Sequence, residues 1–167
     1  AFIILLLVAG NETTTNFVGN GIASLISDNN AMDFIMSKET NMANVIEELF
    51  RINSPVIGVA RFASTPHLLH DYKIGKGDAV LIMIGAANHD PLVFQNPDKI
   101  IFNRKSNNHL SFGHGIHYCL GASLARMEST IMLKKILPLI KNSSQKHEII
   151  FDSTFFLRWP KKIDIRI

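Results

Sequence analysis

The sequence has 167 residues, with 17 Lys and Arg against 14 Asp and Glu for a net charge of +3, and it is 47% hydrophobic and 19% charged. Those proportions belong to a globular chain and exclude a disordered, collagenous or nucleic-acid-tail one. The length suits one domain that builds its core without staples. The lone cysteine excludes a disulfide framework within the chain. It fits a reducing, cytoplasmic compartment and leaves Cys119 to be explained by metal or nucleophilic chemistry. Lys and Arg are scattered, with no run longer than Lys134-Lys135 or Lys161-Lys162, so no nucleic-acid partner is expected.

The opening run Ala1-Phe2-Ile3-Ile4-Leu5-Leu6-Leu7-Val8-Ala9-Gly10 is too short for a membrane span and lacks the basic flank of a signal peptide. No membrane anchor is expected in this chain. The run reads as the middle of a buried helix, so residues 1–167 are expected to be one partial domain, the C-terminal part of a longer protein. The helical pattern continues to about Leu25. Leu6, Gly10, Thr13 and Phe17 lie at offsets of four, three and four and share a face.

Ser27-Asp28-Asn29-Asn30 is a breaker, followed by a short helix through Ile35 and another that Thr40 or Asn41 caps and Pro55 closes. Strand-like runs follow at Ile57 to Ala63 and Ala79 to Ile84, with Gly75-Lys76-Gly77 as the turn between Tyr72-Lys73-Ile74 and the second run. Residues 85 to 118 show little periodicity, and a loop this long is usually functional. Beyond Cys119, the series Leu120, Leu124, Met127 and Ile131 predicts a helix up to Pro138, and the tail from Glu148 predicts a pair of short strands. The expected class is mainly α with small antiparallel β-sheets (α+β).

Phe112-Gly113-His114-Gly115-Ile116-His117-Tyr118-Cys119-Leu120-Gly121 sets a thiol where a glycine-bearing loop meets a helix. Free backbone N–H groups and the positive end of the helix dipole favour an anionic sulfur there. The glycines let the backbone approach something flat and wide. Three other readings stand beside this one: a buried small hydrophobe, a zinc site of His109, His114, His117 and Cys119, and a nucleophilic pair of Cys119 with His117.

Phe112, Gly115, His117, Cys119 and Gly121 resemble the cysteine-loop pattern of the cytochrome P-450 family of haem-thiolate monooxygenases. The resemblance extends along the chain in the family's order. Ala9-Gly10-Asn11-Glu12-Thr13-Thr14 is similar to the oxygen-binding helix motif, and Glu48 with Arg51 matches the Glu-x-x-Arg motif. By this resemblance Cys119 is the axial ligand of haem b, which uses O2 as co-substrate. Gly113, Gly115, Gly121, Gly10 and Ala9 give the cofactor room, and Phe112 lies against it on the thiolate side. His117 and Arg61 serve its propionates. Thr13 offers a hydroxyl on the oxygen side and Glu12 relays protons. Glu48, Arg51 and Arg104 form a buried structural anchor.

The implied partners are a ferredoxin or flavoprotein electron donor and a small apolar substrate, with Leu5, Leu6, Ala9, Val56, Ile57 and Phe155 lining the pocket. Peroxide use would be signalled by a non-acidic replacement of Glu12 or loss of Thr13, and neither occurs. An inert truncated fragment is the remaining alternative. Two departures from the family pattern fall in the long loop: His89 stands where arginine is usual, and Phe102 replaces a proline.

Overall fold

The computed structural model describes residues 1–37, 40–141, 148–154 and 156–164. Its elements are α1 (Phe2–Ser27), α2 (Asn29–Ile35), α3 (Met42–Ile52), β1 (Val59–Phe62), β2 (His67–Leu69) and β3 (Tyr72–Ile74). They continue with β4 (Ala79–Ile82), the single turn α4 (Ile84–Ala87), α5 (Ala122–Lys141), β5 (Glu148–Ser153) and β6 (Arg158–Asp164). Among the described residues the strands form three antiparallel pairs, β1 with β4, β2 with β3 and β5 with β6. Helices dominate, as the α+β expectation required.

Capping chemistry sets the helix starts. Asp28 leaves α1 in an extended conformation and its carboxylate accepts the Ala31 N–H at 3.0 Å, which opens α2. Asn41 does the same for α3 through the Ala43 N–H at 3.0 Å. Thr40, the other expected cap, donates its hydroxyl to the Phe34 carbonyl instead.

The core gathers Phe17, Val18, Ile22 and Leu25 of α1, Val45, Ile46, Leu49 and Phe50 of α3, and Leu133, Leu137 and Ile140 of α5. The rings of Phe17 and Phe50 stack with centroids 3.5 Å apart, locking α1 to α3. Gly19 admits β6 against α1, because a Cβ there would stand 2.6 Å from Cγ of Pro160. Any larger residue at this point forces the strand off the helix.

Burial departs from the apolar pattern in two helices. The first ten residues, expected to be buried, are exposed, with Phe2 at 61% and Leu7 at 68% accessibility. The described elements pack only on the second half of α1, and apolarity alone does not supply a cover. By length and composition α1 could also cross a bilayer, with a mean hydropathy of 1.3 over its best window. Asn11, Glu12, Asn16 and Asn20 interrupt it, however, and Phe17 to Leu25 enter the core, the distribution of a core helix.

In α5 the stripe Leu124, Met127 and Ile131 is exposed, as is Leu120 just before it, while Ala122, Ser129, Leu133, Leu137 and Ile140 face inward. Pro138 does not end this helix, which runs on to Lys141. The N–H that Pro138 lacks costs a single bond near the end of the helix.

The sheet near the site also differs from expectation in its pairing. β1 meets β4 from Val59 opposite Ile82 to Phe62 opposite Ala79, but β3 folds back on β2. Gly75-Lys76-Gly77 therefore carries the chain from one ladder to the other, with Gly77 at φ +89°. The tail strands pair as predicted, with a bulge beside Ile150 and Phe151.

Candidate functional site

The loop from Leu110 to Cys119 is closed by its own backbone. The Gly113 N–H donates to the Leu110 carbonyl at 2.8 Å, Tyr118 to Gly115 at 3.0 Å and Cys119 to Phe112 at 2.8 Å. Gly113 at φ +73° and Gly115 at φ +64° occupy the left-handed region this path demands. A Cβ on Gly113 would also press on the His117 carbonyl at 3.3 Å. The Cys119 carbonyl accepts from the Ala122 N–H at 3.3 Å, which puts this residue at the N-terminal, positive end of α5.

Cys119 is a free, exposed thiol on the wall of a cleft of about 500 Å³. That volume lies in the range of cofactor and small-molecule sites. The cleft brings Cys119 together with Phe112, Gly113, His117, Gly121 and Arg61, and with Ala9, Gly10 and Thr13 of α1. Val56 also lines it, whereas Glu12, Gly115, Leu5, Leu6 and Ile57 do not, and Phe155 lies outside the described residues. Leu5 and Leu6 belong to the exposed turns of α1, and Ile57 is turned against Gly85. The Thr13 hydroxyl donates to the Ala9 carbonyl at 2.7 Å, and Glu12 is exposed to solvent.

Two of the competing readings of Cys119, the buried hydrophobe and the zinc site, lose their support here. Its exposure removes the buried-hydrophobe reading. Among the described residues no three His, Cys, Asp or Glu side chains converge on a metal position. His109, the proposed fourth zinc ligand, is turned to Glu47, with Nε2 at 3.1 Å from Oε2. The cleft thus offers a single sulfur donor, two side chains of a type that can pair with carboxylates (Arg61 and His117) and broad space. Open space above Gly10, and only 4.0 Å between a Cβ on Gly121 and the Cys119 sulfur, show that side chains at these two lining positions would intrude on it. A porphyrin-held metal fits this donor set: Cys119 would hold it and Arg61 and His117 would pair with its carboxylates.

Behind the cleft, the carboxylate of Glu48 is fully buried and completely paired. Arg51 Nε and Nη2 reach it at 2.9 and 2.8 Å, Arg104 Nε at 2.9 and 3.0 Å, Asn107 Nδ2 at 3.0 Å and the Ile101 N–H at 2.9 Å. Arg51 and Arg104 spend their other N–H groups on loop carbonyls, among them Asn88, Pro97 and Lys99 for Arg51 and Gln95 and Asn96 for Arg104. The long loop therefore has fixed anchors despite its lack of periodicity. The two departures from the family pattern are accommodated: His89 bonds the Gly85 carbonyl at 2.9 Å, and Phe102 is buried against Phe34.

Several residues at the site were not singled out from sequence. Asn88, fully buried, accepts the Leu110 N–H at 2.7 Å and donates to Ser111 Oγ at 2.8 Å, and Ser111 in turn donates to the Phe50 carbonyl at 2.7 Å. Glu47 and Arg126 pair as a fork, with Nε and Nη2 at 2.6 and 2.9 Å from the two carboxylate oxygens. Adjacency of Glu47 to Glu48 was the one available signal, and it could not tell which acid faces which helix.

Burial works to raise the Glu47 carboxyl, but the hydrogen bonds from Arg126 and His109, with the Arg126 charge, outweigh it and hold the group down at about 2 against an ordinary 4.5. A depressed carboxylate adds stability that is present above pH 4.5 and is lost as the pH falls towards 2. After solvent screening we expect about 2 kcal/mol from it. Urea titrations at pH 7, 4.5 and 3 should show Glu47→Gln flattening this acid limb; an unchanged limb would assign the loss to other carboxylates.

The family model described as Cytochrome P450 matches residues 2–166. The chain is 40% identical over 169 residues to Cytochrome P450 109 of Bacillus spizizenii, covering 99% of this chain and 42% of that protein. It is 37% identical over 171 residues to the polyketide biosynthesis cytochrome P450 PksS of Bacillus subtilis, covering 100% of this chain and again 42% of that protein. The chain thus spans about two-fifths of these relatives. The crystal structure of CYP109E1 from Bacillus megaterium in complex with corticosterone superposes with a TM-score of 0.91 at 35% identity, over 99% of this chain and 46% of that one. With the cysteine loop, the buried Glu-x-x-Arg anchor and the α1 motif arranged as described, the chain belongs to the cytochrome P450 family.

Proposed function

We propose that this chain is the cysteine-bearing part of a cytoplasmic haem monooxygenase, which inserts one atom of O2 into a small apolar substrate and reduces the other to water with electrons from a ferredoxin or flavoprotein. The observation that carries this reading is the meeting of the exposed Cys119 thiol with Arg61, His117, Ala9, Gly10 and Thr13 in one cleft. Haem b, when bound, supplies an iron at which O2 is activated, and a thiolate ligand pushes electron density onto it.

The chain's own residues divide the remaining work. Cys119 holds the cofactor from one side, and Arg61 and His117 neutralise its carboxylates. Ala9 and Gly10 keep the α1 side of the cleft free of bulk. Thr13 rests its hydroxyl on the Ala9 carbonyl, and a single χ1 rotation frees it to donate into the cleft. Glu12, in solvent one residue away, takes up protons from water for delivery towards that hydroxyl. Val56, Val59, Ile82 and Ile84 give the cleft an apolar side, which supports an apolar substrate. The similar CYP109E1 from Bacillus megaterium was crystallised in complex with corticosterone.

The test is the absorption spectrum of the reduced protein under carbon monoxide, loaded with haem and carrying the upstream segment its relatives have. A strongly red-shifted Soret band is expected, and absence of any haem band would favour an inert fragment. Thr13→Ala should keep that band while product formed per NAD(P)H falls about tenfold or more and peroxide rises, since a positioned proton donor contributes at least that much. Unchanged coupling would remove Thr13 from proton delivery.

A further inference from the structure

One guanidinium behind the cysteine loop touches both of its limbs. Arg126 of α5 forks onto Glu47 of α3, its Nη1 lies 3.2 Å from the Tyr118 hydroxyl, and its Cζ sits 4.3 Å over the ring of Phe112. Glu47 also holds His109, whose side chain is 2% exposed. The Ser111 N–H donates to His109 Nδ1 at 3.2 Å, so Nε2 carries the hydrogen that Glu47 accepts at 3.1 Å. His109 and Phe112 are on the entry limb of the loop, and Tyr118 is on the exit limb, next to Cys119. The Cys119 N–H is itself bonded to the Phe112 carbonyl at 2.8 Å. The Glu47–Arg126 pair therefore ties α3 and α5 to the loop on both sides of the sulfur, alongside the Ser111–Phe50 and Ala122–Cys119 hydrogen bonds.

We propose that Glu47 and Arg126 are positioning residues: their forked pair clamps the two limbs of the cysteine loop and keeps Cys119 in the geometry of a thiolate ligand. Neither touches the cleft chemistry directly, and an ordinary helix-to-helix ion pair of this exposure contributes little beyond stability. The distinguishing feature is what the guanidinium plane covers. Phe112 lies between Arg126 and the cleft, and only a flat, five-donor group stacks on that ring, forks onto a carboxylate and reaches a phenol at once.

The proposal rests on the reading of Cys119 as a haem thiolate, and the experiment separates the two. Haem-loaded protein, complete with the upstream segment, is reduced under carbon monoxide, and the conversion of the red-shifted band to the unshifted one is followed in time. A wild-type protein with haem but no red-shifted band would overturn the thiolate reading itself. Given that band, Arg126→Leu should bind haem at wild-type stoichiometry but convert at least about tenfold faster. Arg126→Lys, which keeps the charge without the fork or the plane, should restore the melting temperature without restoring band lifetime.

Lys141→Met removes the Lys141–Asp33 pair at the far end of α5 and should leave the lifetime unchanged. Should Arg126→Leu yield no soluble protein, Tyr118→Phe and Glu47→Gln carry the same comparison, each expected to shorten the lifetime several-fold. Folded variants whose band persists as in wild type would overturn the proposal and leave the pair a simple link between α3 and α5. Recovery of lifetime by Arg126→Lys would equally overturn it, since charge alone would then suffice.

Discussion

Cys119→Ser is expected to abolish the red-shifted carbon monoxide band completely while leaving the chain folded. The thiol is exposed, so its replacement by a hydroxyl opens no cavity and strands no buried partner. The backbone bonds that close the loop, Cys119 N–H to Phe112 and Tyr118 N–H to Gly115, do not involve the sulfur and survive the change. A hydroxyl near neutral pH remains protonated and cannot serve as an anionic ligand. The measurement is the difference spectrum of the reduced, haem-loaded protein beside its far-ultraviolet circular dichroism. Persistence of the band in a folded Ser variant would mean that another side chain ligates the metal. His114 and His117, which line the same cleft, are the residues to replace next.

Arg51→Met is expected to be the most damaging single change to stability, at about 3 to 5 kcal/mol. Arg51 and Glu48 are both fully buried, so losing one leaves the other's charge uncompensated in the core. The same change orphans the Asn88, Pro97 and Lys99 carbonyls that Arg51 holds. For a domain whose whole stability is about 5 to 15 kcal/mol, that is a large share. Arg104→Leu should cost less, because most of its carbonyl contacts lie at exposed positions and Arg51, Asn107 and the Ile101 N–H still pair Glu48. Urea denaturation of the three proteins side by side tests the order. An Arg51→Met penalty below about 1 kcal/mol would show that the loop is anchored elsewhere.

The chemistry of the site was more legible in the sequence than its supports. Cys119, Gly113 and Gly115 announce themselves because a thiol just after a glycine-bearing loop has few structural explanations, and both glycines do take positive φ. Glu48 and Arg51 are legible as an i, i+3 pair on one helix. Arg126 and Glu47 are not, since 79 residues separate them and only the packing of α5 on α3 brings them together. Nothing in the sequence around Asn88 marks it as fully buried and bonded to two residues of the cysteine loop.

Helix periodicity was likewise sound as evidence of helix and unsound as evidence of burial. Leu124, Met127 and Ile131 keep the spacing of a core stripe while facing outward, and the inward stripe carries the less conspicuous Ala122 and Ser129. The strands repeat the lesson, for Tyr72-Lys73-Ile74 is a strand as expected but pairs with His67–Leu69.

Local chemistry could be read from order alone: where helices start, because Asp28 and Asn41 cap their own neighbours, where the chain must turn, and which residue could bind a metal. Those properties depend on groups a few bonds apart, whose mutual distance the backbone limits. Which apolar stripe is buried, which strands pair and which arginine backs the cysteine loop depend on contacts between segments tens of residues apart. Many partners of equal apolarity or charge compete for each such contact. Only the packing of α1, α3 and α5 around one core selects among them.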